Sequence, residues 1–144
     1  MECRSCGHRN DERSDRCARC GALLGATIES ISAVTLLTSD MTRAVRFYRS
    51  LGFELRYGGE SDTFTSFRLE QGHLNLMARP GLEPPPFWGR VILYVSDVDA
   101  LYHRALVAGQ RPEAPPRDAE WGERYFHLAD PDGHQLSFAR PLSM

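Results

Sequence analysis

Residues 35–52 read TLLTSDMTRAVRFYRSLG, and residues 92–109 read ILYVSDVDALYHRALVAG. The dipeptides Ser39-Asp40 and Ser96-Asp97 stand 57 residues apart, and so do Gly52 and Gly109. Each stretch has the order of a strand, an aspartate at a helix start, an amphipathic helix and a glycine stop. The halves also end alike: residues 72–80 read GHLNLMARP and residues 133–141 read GHQLSFARP. Each predicts an apolar-alternating strand entered from a turn. Before the second, Asp130-Pro131-Asp132-Gly133 fixes a tight reversal. Between helix and last strand each half holds two more strands, at 54–57 and 63–69 in the first, and near Arg111 and at 124–128 in the second. The reading is therefore α+β, with two tandem βαβββ modules at 28–80 and 90–142. The linker 81–89, GLEPPPFWG, joins them, because its prolines cannot continue a sheet ladder.

The chain has 144 residues, of which 42% are hydrophobic and 25% charged. That is enough for one packed domain and a small appendage, and too apolar for wholesale disorder. A net charge of −2 argues against a dedicated nucleic-acid binder. No apolar run approaches the ~20 residues of a membrane span, and the polar N-terminus is no signal peptide, so a soluble cytoplasmic protein is expected. All 17 basic residues are Arg. Without lysine, Schiff-base chemistry, a lysine general base and a phosphate-binding P-loop lysine are excluded.

All four cysteines lie near the start, as Cys3-x2-Cys6-x10-Cys17-x2-Cys20, and Gly7 and Gly21 follow the two pairs directly. Two such knuckles supply four thiolates in a tetrahedron at ~2.3 Å, a set that suits zinc. The glycines permit the tight turn that aims backbone amides at the sulfurs. Two disulfides are the competing reading, disfavoured without a secretion signal, and a redox pair needs a strand–helix setting absent here. Residues 1–26 thus resemble a small rubredoxin-like zinc ribbon, in which a closed four-thiolate shell makes zinc structural. Its mixed charges show no basic face for DNA and point to a module that docks a protein partner.

From residue 28 to 142 the chain resembles the vicinal oxygen chelate superfamily of glyoxalase I, extradiol dioxygenases, fosfomycin resistance proteins and bleomycin resistance proteins. The phrases TSDMTRAVRFYRSLGFEL, VSDVDALYHRALVAG and AEWGERYFHLADPDGHQLSF carry the resemblance. It implies that two modules form a cleft with curved sheets and that chains of this size pair as homodimers. It also implies four metal-ligand positions, one in the first and one in the last strand of each module. Here they fall on Ala33, Arg90, Ser137 and either Asn75 or Leu76. Strand alternation favours Asn75, whereas the internal match to GHQLSF favours Leu76. None of these sets binds a divalent metal well, and a permanently cationic Arg repels one.

The expectation is accordingly a metal-free cleft that sequesters or senses a small molecule, as in the bleomycin resistance branch, which EWG-RYF-DPDG resembles. The alternative is a metal-dependent lyase or dioxygenase-like enzyme with an atypical site. Rigid aromatics and a few fixed polar groups suit a sequestering cleft. Wall candidates are Trp88, Trp121, Phe64, Phe67, Tyr94 and Tyr125, and polar candidates are Arg68, Asn75, Arg90, Ser137 and His127. Alternation puts Arg90, Ile92 and Tyr94 on one strand face, where Arg90 suits an anionic or carbonyl-bearing ligand. His73 and His134 each follow a glycine at a strand entrance, which points to turn roles. Asp130 and Asp132 belong to a turn rather than to a catalytic carboxylate pair.

Overall fold

A computed structural model describes residues 1–26 and 28–143. The chain divides into two compact units, Met1–Ile31 and Ser32–Met144.

The first unit is built from two knuckles that repeat one hydrogen-bond pattern. Cys3 N–H donates to His8 O and Gly7 N–H to Cys3 O; Cys17 N–H donates to Ala22 O and Gly21 N–H to Cys17 O. Gly7 and Gly21 take φ values of +76° and +77°, the left-handed region that glycine occupies without steric cost. Single β-bridges, Glu2 to Arg9 and Arg16 to Leu23, close the knuckles.

The second unit contains both βαβββ modules. The first comprises β1 (Ala33–Thr38), α1 (Met41–Ser50), β2 (Glu54–Tyr57), β3 (Phe64–Arg68) and β4 (His73–Ala78). The second comprises β5 (Arg90–Tyr94), α2 (Val98–Val107), β6 (Arg117–Asp118), β7 (Glu123–Ala129) and β8 (Gln135–Pro141). Each forms a four-stranded sheet with the same topology, β1-β4-β3-β2 and β5-β8-β7-β6. Asp40 and Asp97 cap the helices by accepting the N–H of Arg43 and Ala100. The sixth strand does not form near Arg111. Residues 111–116 carry Pro112, Pro115 and Pro116, which cannot donate to a ladder, so pairing begins at Arg117.

The helices cover one face of the sheets. Leu36, Leu74, Leu76 and Phe67 from the first sheet and Phe126, Leu128, Leu136 and Phe138 from the second share one core with Val45, Phe47, Tyr48, Leu101 and Ala105. Phe67, offered by sequence as a wall candidate, belongs to this core, while Phe64, an odd number of residues away, takes the other face.

A difference of one residue separates the modules. In the first, the β3–β4 turn closes with Leu69 N–H on Gly72 O at 3.1 Å. In the second, the β7–β8 turn closes with Asp130 N–H on His134 O at 2.9 Å, leaving one more residue in the loop. The strands beyond therefore match with an offset of 62 rather than the 61 of the two Gly-His pairs. Asn75 stands opposite Thr35 and Ser137 opposite Ile92, and since Thr35 and Ile92 are 57 apart, Asn75 is the counterpart of Ser137. Leu76 is buried in the core.

Candidate functional site

Two sites emerge, one in each unit. In the first, the Sγ atoms of Cys3, Cys6, Cys17 and Cys20 lie within 4.8 Å of one another, with Cys3–Cys20 and Cys6–Cys17 each at 3.6 Å. Thiolates in a tetrahedron around one ion at ~2.3 Å stand about 3.8 Å apart, so the four sulfurs fit a metal ion. Arg19 N–H lies 3.4 Å from Cys17 Sγ, the kind of amide contact that supports a thiolate. Burial pushes the Cys17 thiol up, but backbone amides of Cys20 and Arg19 outweigh it and bring it to about 5. Cys6, although a backbone contact with His8 lowers it, is driven by burial and the three neighbouring thiols to about 12. Four sulfurs this close ionise together only around a cation.

The second site is the face of the β5-β8-β7-β6 sheet turned away from the core. Alternation along β5 sends Val91 and Leu93 inward and leaves Arg90, Ile92 and Tyr94 exposed. Cross-strand partners share a face, so Gln135 joins Arg90, and Ser137 joins Ile92 and His127. Arg117 and Tyr125 are paired next to them. Five of the sequence-predicted ligand residues belong to this neighbourhood: Arg90, Tyr94, Ser137 and His127 on the strands and Trp121 at its rim. Trp121 stacks on Tyr125 with ring centroids 5.4 Å apart, and Tyr125 lies 5.0 Å from the His127 ring. Arg117 donates from Nε to Tyr125 Oη at 2.8 Å and lies 4.6 Å over its ring. Glu123 accepts the Trp121 indole N–H at 2.8 Å and, by a hydrogen bond, pushes the Tyr94 phenol up. His127 Nδ1 faces Glu113 at 3.5 Å. Burial and then the Arg90 charge push the His127 pKa down, so the imidazole is neutral at neutral pH.

The remaining predicted residues lie elsewhere. Asn75, on the exposed face of the other sheet, donates to Thr35 Oγ1 at 3.2 Å. Arg68 ends β3 opposite Glu54 and His73. His73 is no turn residue: it begins β4 directly opposite Ala33, on the same exposed face as Asn75. Trp88 donates from its indole N–H to His134 Nδ1 at 3.0 Å, and His134 Nε2 lies 2.8 Å from Leu37 O. That pair of contacts assigns a neutral ring with its proton on Nε2.

His134 belongs to a buried polar network that the sequence did not announce. Asp130 Oδ1 accepts the N–H groups of Asp132 and His134, and Oδ2 accepts the Tyr48 hydroxyl at 2.7 Å. Asp132 Oδ1 accepts both the N–H and the hydroxyl of Ser39 at 2.9 Å. Asp132 Oδ2 is the one buried side-chain oxygen without a partner among the described residues. The turn role expected of Asp130 and Asp132 holds, and the same carboxylates fasten the second module to α1 and the end of β1. The signal available was two acids in one turn; Tyr48, 82 residues away, gave none.

Residues 30–138 match the profile of the Glyoxalase/Bleomycin resistance protein/Dioxygenase superfamily. An uncharacterised protein of Mycobacterium bovis is 46% identical over 50 residues, 35% of this chain and 33% of that protein. The match thus spans about a third of the curated relative. A glyoxalase/bleomycin resistance protein/dioxygenase from Nocardioides superposes with a TM-score of 0.66 at 24% identity, covering 83% of this chain and 88% of that one. A bleomycin-binding protein in complex with bleomycin superposes with a TM-score of 0.64 at 25% identity, covering 78% and 98%. No helix among the described residues is long and apolar enough to cross a membrane.

Proposed function

The chain belongs to the Glyoxalase/Bleomycin resistance protein/Dioxygenase superfamily, and from that premise we propose that residues 28–142 form a non-catalytic small-molecule binding domain. It sequesters or senses a ligand in the cytoplasm, on the exposed face of the second sheet, without a metal in the cleft. The observation that carries this reading is the donor chemistry at the four ligand positions. Register places Ala33 and Asn75 in one sheet and Arg90 and Ser137 in the other. A methyl group, a neutral amide, a guanidinium and a hydroxyl form no shell for a divalent ion. The likeness to a bleomycin-binding protein supports binding as the activity. A homodimer is part of the same proposal.

Residues 1–26 are proposed to hold one structural zinc through Cys3, Cys6, Cys17 and Cys20, and to dock a protein partner. With four thiolates no coordination position stays open to substrate, so the metal's contribution is to folding. Elemental analysis of the purified chain and of a Cys3→Ser/Cys6→Ser/Cys17→Ser/Cys20→Ser variant tests the zinc assignment and the metal-free cleft together. One zinc per wild-type chain and none in the variant is the expected result. A metal retained by the variant would overturn the metal-free cleft and favour a lyase or dioxygenase-like enzyme.

A further inference from the structure

The exposed face of the second sheet has an uneven electrostatic account. Its two acids are engaged: Glu123 holds the Trp121 indole and faces the Tyr94 phenol, and Glu113 faces His127. Arg117 is engaged as well, by the hydroxyl and ring of Tyr125. Arg90 has no hydrogen bond or ion pair among the described residues and rests 5.4 Å from the Phe87 ring centre. Beside it Phe87 leaves 69% of its surface open, and farther along the same face Ile92, Tyr94 and Trp121 leave 62%, 66% and 68%. An unneutralised guanidinium bordered by open aromatic surface recognises a planar group that carries a negative charge.

The face also contains one group that can follow such a charge. His127 is flanked by Arg90 on β5, Glu113 in the loop before β6, Arg117 on β6, Tyr125 on its own strand, and Ser137 on β8. We propose that this face binds an aromatic carboxylate, with Arg90 pairing the carboxylate, the Trp121–Tyr125 stack and Tyr94 contacting the ring, and His127 taking up a proton on binding. The inference rests on the ligand-binding reading above and adds the ligand's class and its proton linkage.

The physical basis of the linkage is cancellation. In the free protein burial, and then the Arg90 and Arg117 charges, oppose protonation of His127, while Glu113 favours it. A carboxylate docked on Arg90 offsets the stronger of the two charge effects, so the bound state holds the extra proton more readily. Binding that takes up a proton strengthens as pH falls, by at most ten-fold per pH unit within the window.

The test uses the full chain and three probes, 2-naphthoate, 2-naphthamide and metal-free bleomycin, followed by amide NMR shifts and by titration at pH 8 and pH 6. The expected result is that naphthoate shifts β5, β7 and β8 amides and binds at least about three-fold tighter at pH 6 than at pH 8. Arg90→Gln should bring naphthoate down to the affinity of the amide. His127→Gln should remove the pH dependence, so that naphthoate affinities at pH 6 and pH 8 become equal. Thermal unfolding of both variants, whose substituted side chains lie outside the core, confirms that they fold. A naphthoate affinity equal at both pH values, or equal to that of the amide, overturns the proposal. Shifts from bleomycin or the amide but not from naphthoate overturn the ligand class and leave the binding reading standing. No shift from any probe takes down both.

Discussion

The two hairpin turns that lead into β4 and β8 occupy the same place in the two modules and perform different tasks. The first, closing at Leu69 and Gly72, has a two-residue loop whose Glu70 and Gln71 are exposed. The second, closing at Asp130 and His134, has one more residue, and its Asp130, Asp132 and His134 are buried. The counterparts of the buried pair Tyr48 and Asp130 in the repeat are Ala105 and Leu69, which exchange no hydrogen bond. One copy of the motif is a plain reversal, and the other is a fastener between modules. The extra residue also flips the Gly-His dipeptide. His73 lies on an exposed sheet face, whereas His134, one step out of phase, turns inward to Leu37 and Trp88. Duplicated sequence thus specifies a duplicated fold, while a single inserted residue decides where the polar contacts between the copies can form.

Removing the fastener should have the largest effect. Asp130→Ala strips a buried carboxylate that accepts from Tyr48, Asp132 and His134, leaving the Tyr48 hydroxyl and two amides without their acceptor. The expected loss is about 3 kcal/mol in urea unfolding, monitored by tryptophan fluorescence, since Trp88 and Trp121 both report on this unit. Tyr48→Phe orphans only one carboxylate oxygen and should cost about 1–3 kcal/mol. A loss below about 0.5 kcal/mol for both variants would mean that the apolar core alone joins the modules, and the contrast between the turns would lose its energetic content.

A matched pair of substitutions sharpens the contrast next. Asp132 and Gln71 hold equivalent places before the two glycines. Asp132→Ala loses the double contact with Ser39 and the Arg43 guanidinium at 3.6 Å. Part of that loss is offset, because the unpartnered Oδ2 is removed too. About 2 kcal/mol is expected for Asp132→Ala, and within about 0.5 kcal/mol for the exposed Gln71→Ala. Equal effects on the urea midpoint would break the comparison.

The repeat made the fold legible because its strongest signals are local. Asp40 and Asp97 cap helices as their position before an apolar periodicity requires, and Gly52 and Gly109 end them with φ values of +102° and +84°. The cysteine spacing likewise foretold a cluster of sulfurs, since each knuckle is a closed local turn. On β5, alternation alone placed Arg90 and Tyr94 together on the exposed face. What stayed hidden depended on distance or on a single residue. Trp88, read as a wall of the cleft, meets His134 across 46 residues, and no local pattern encodes that contact. His73 was misplaced because the two GH motifs align perfectly in letters but not in strand register. The strand expected near Arg111 fails for a local reason, since Pro112, Pro115 and Pro116 postpone ladder pairing to Arg117.

The two helix-stop glycines allow a finer comparison. Both occupy the left-handed region, so Ala at either position carries strain of about 1 kcal/mol. At Gly109 a Cβ meets open space, whereas at Gly52 it meets the Arg104 guanidinium that donates to Leu51 O at 2.9 Å. Gly52→Ala should therefore be more destabilising than Gly109→Ala by about 0.5–1 kcal/mol, the worth of that displaced hydrogen bond. Thermal or urea unfolding of the two variants measures the difference. Equal losses would show that the Arg104 side chain swings aside without cost and that this bridge between α2 and the end of α1 contributes nothing.

The smallest expected effect concerns pH, and it isolates the turn that only the second module possesses. Burial pushes the Asp130 carboxyl above its ordinary value, although the Tyr48 hydroxyl and the His134 amide pull it partly back. Between about 3.9, the unfolded value, and its raised folded value, the native state holds more protons than the unfolded chain. Stability from this group is then greatest at acid pH and falls as pH rises through the folded value. Asp130→Asn keeps the shape and cannot titrate, so the difference between wild type and variant removes every other carboxylate. The wild-type advantage in urea unfolding should shrink from pH 4 to pH 7. Leu69, at the matching place in the first module, offers no such group. An advantage that instead grows with pH would mean that the amides of Asp132 and His134 stabilise the anion by more than burial costs it. The donors of the turn, rather than its burial, would then set the charge preference of Asp130.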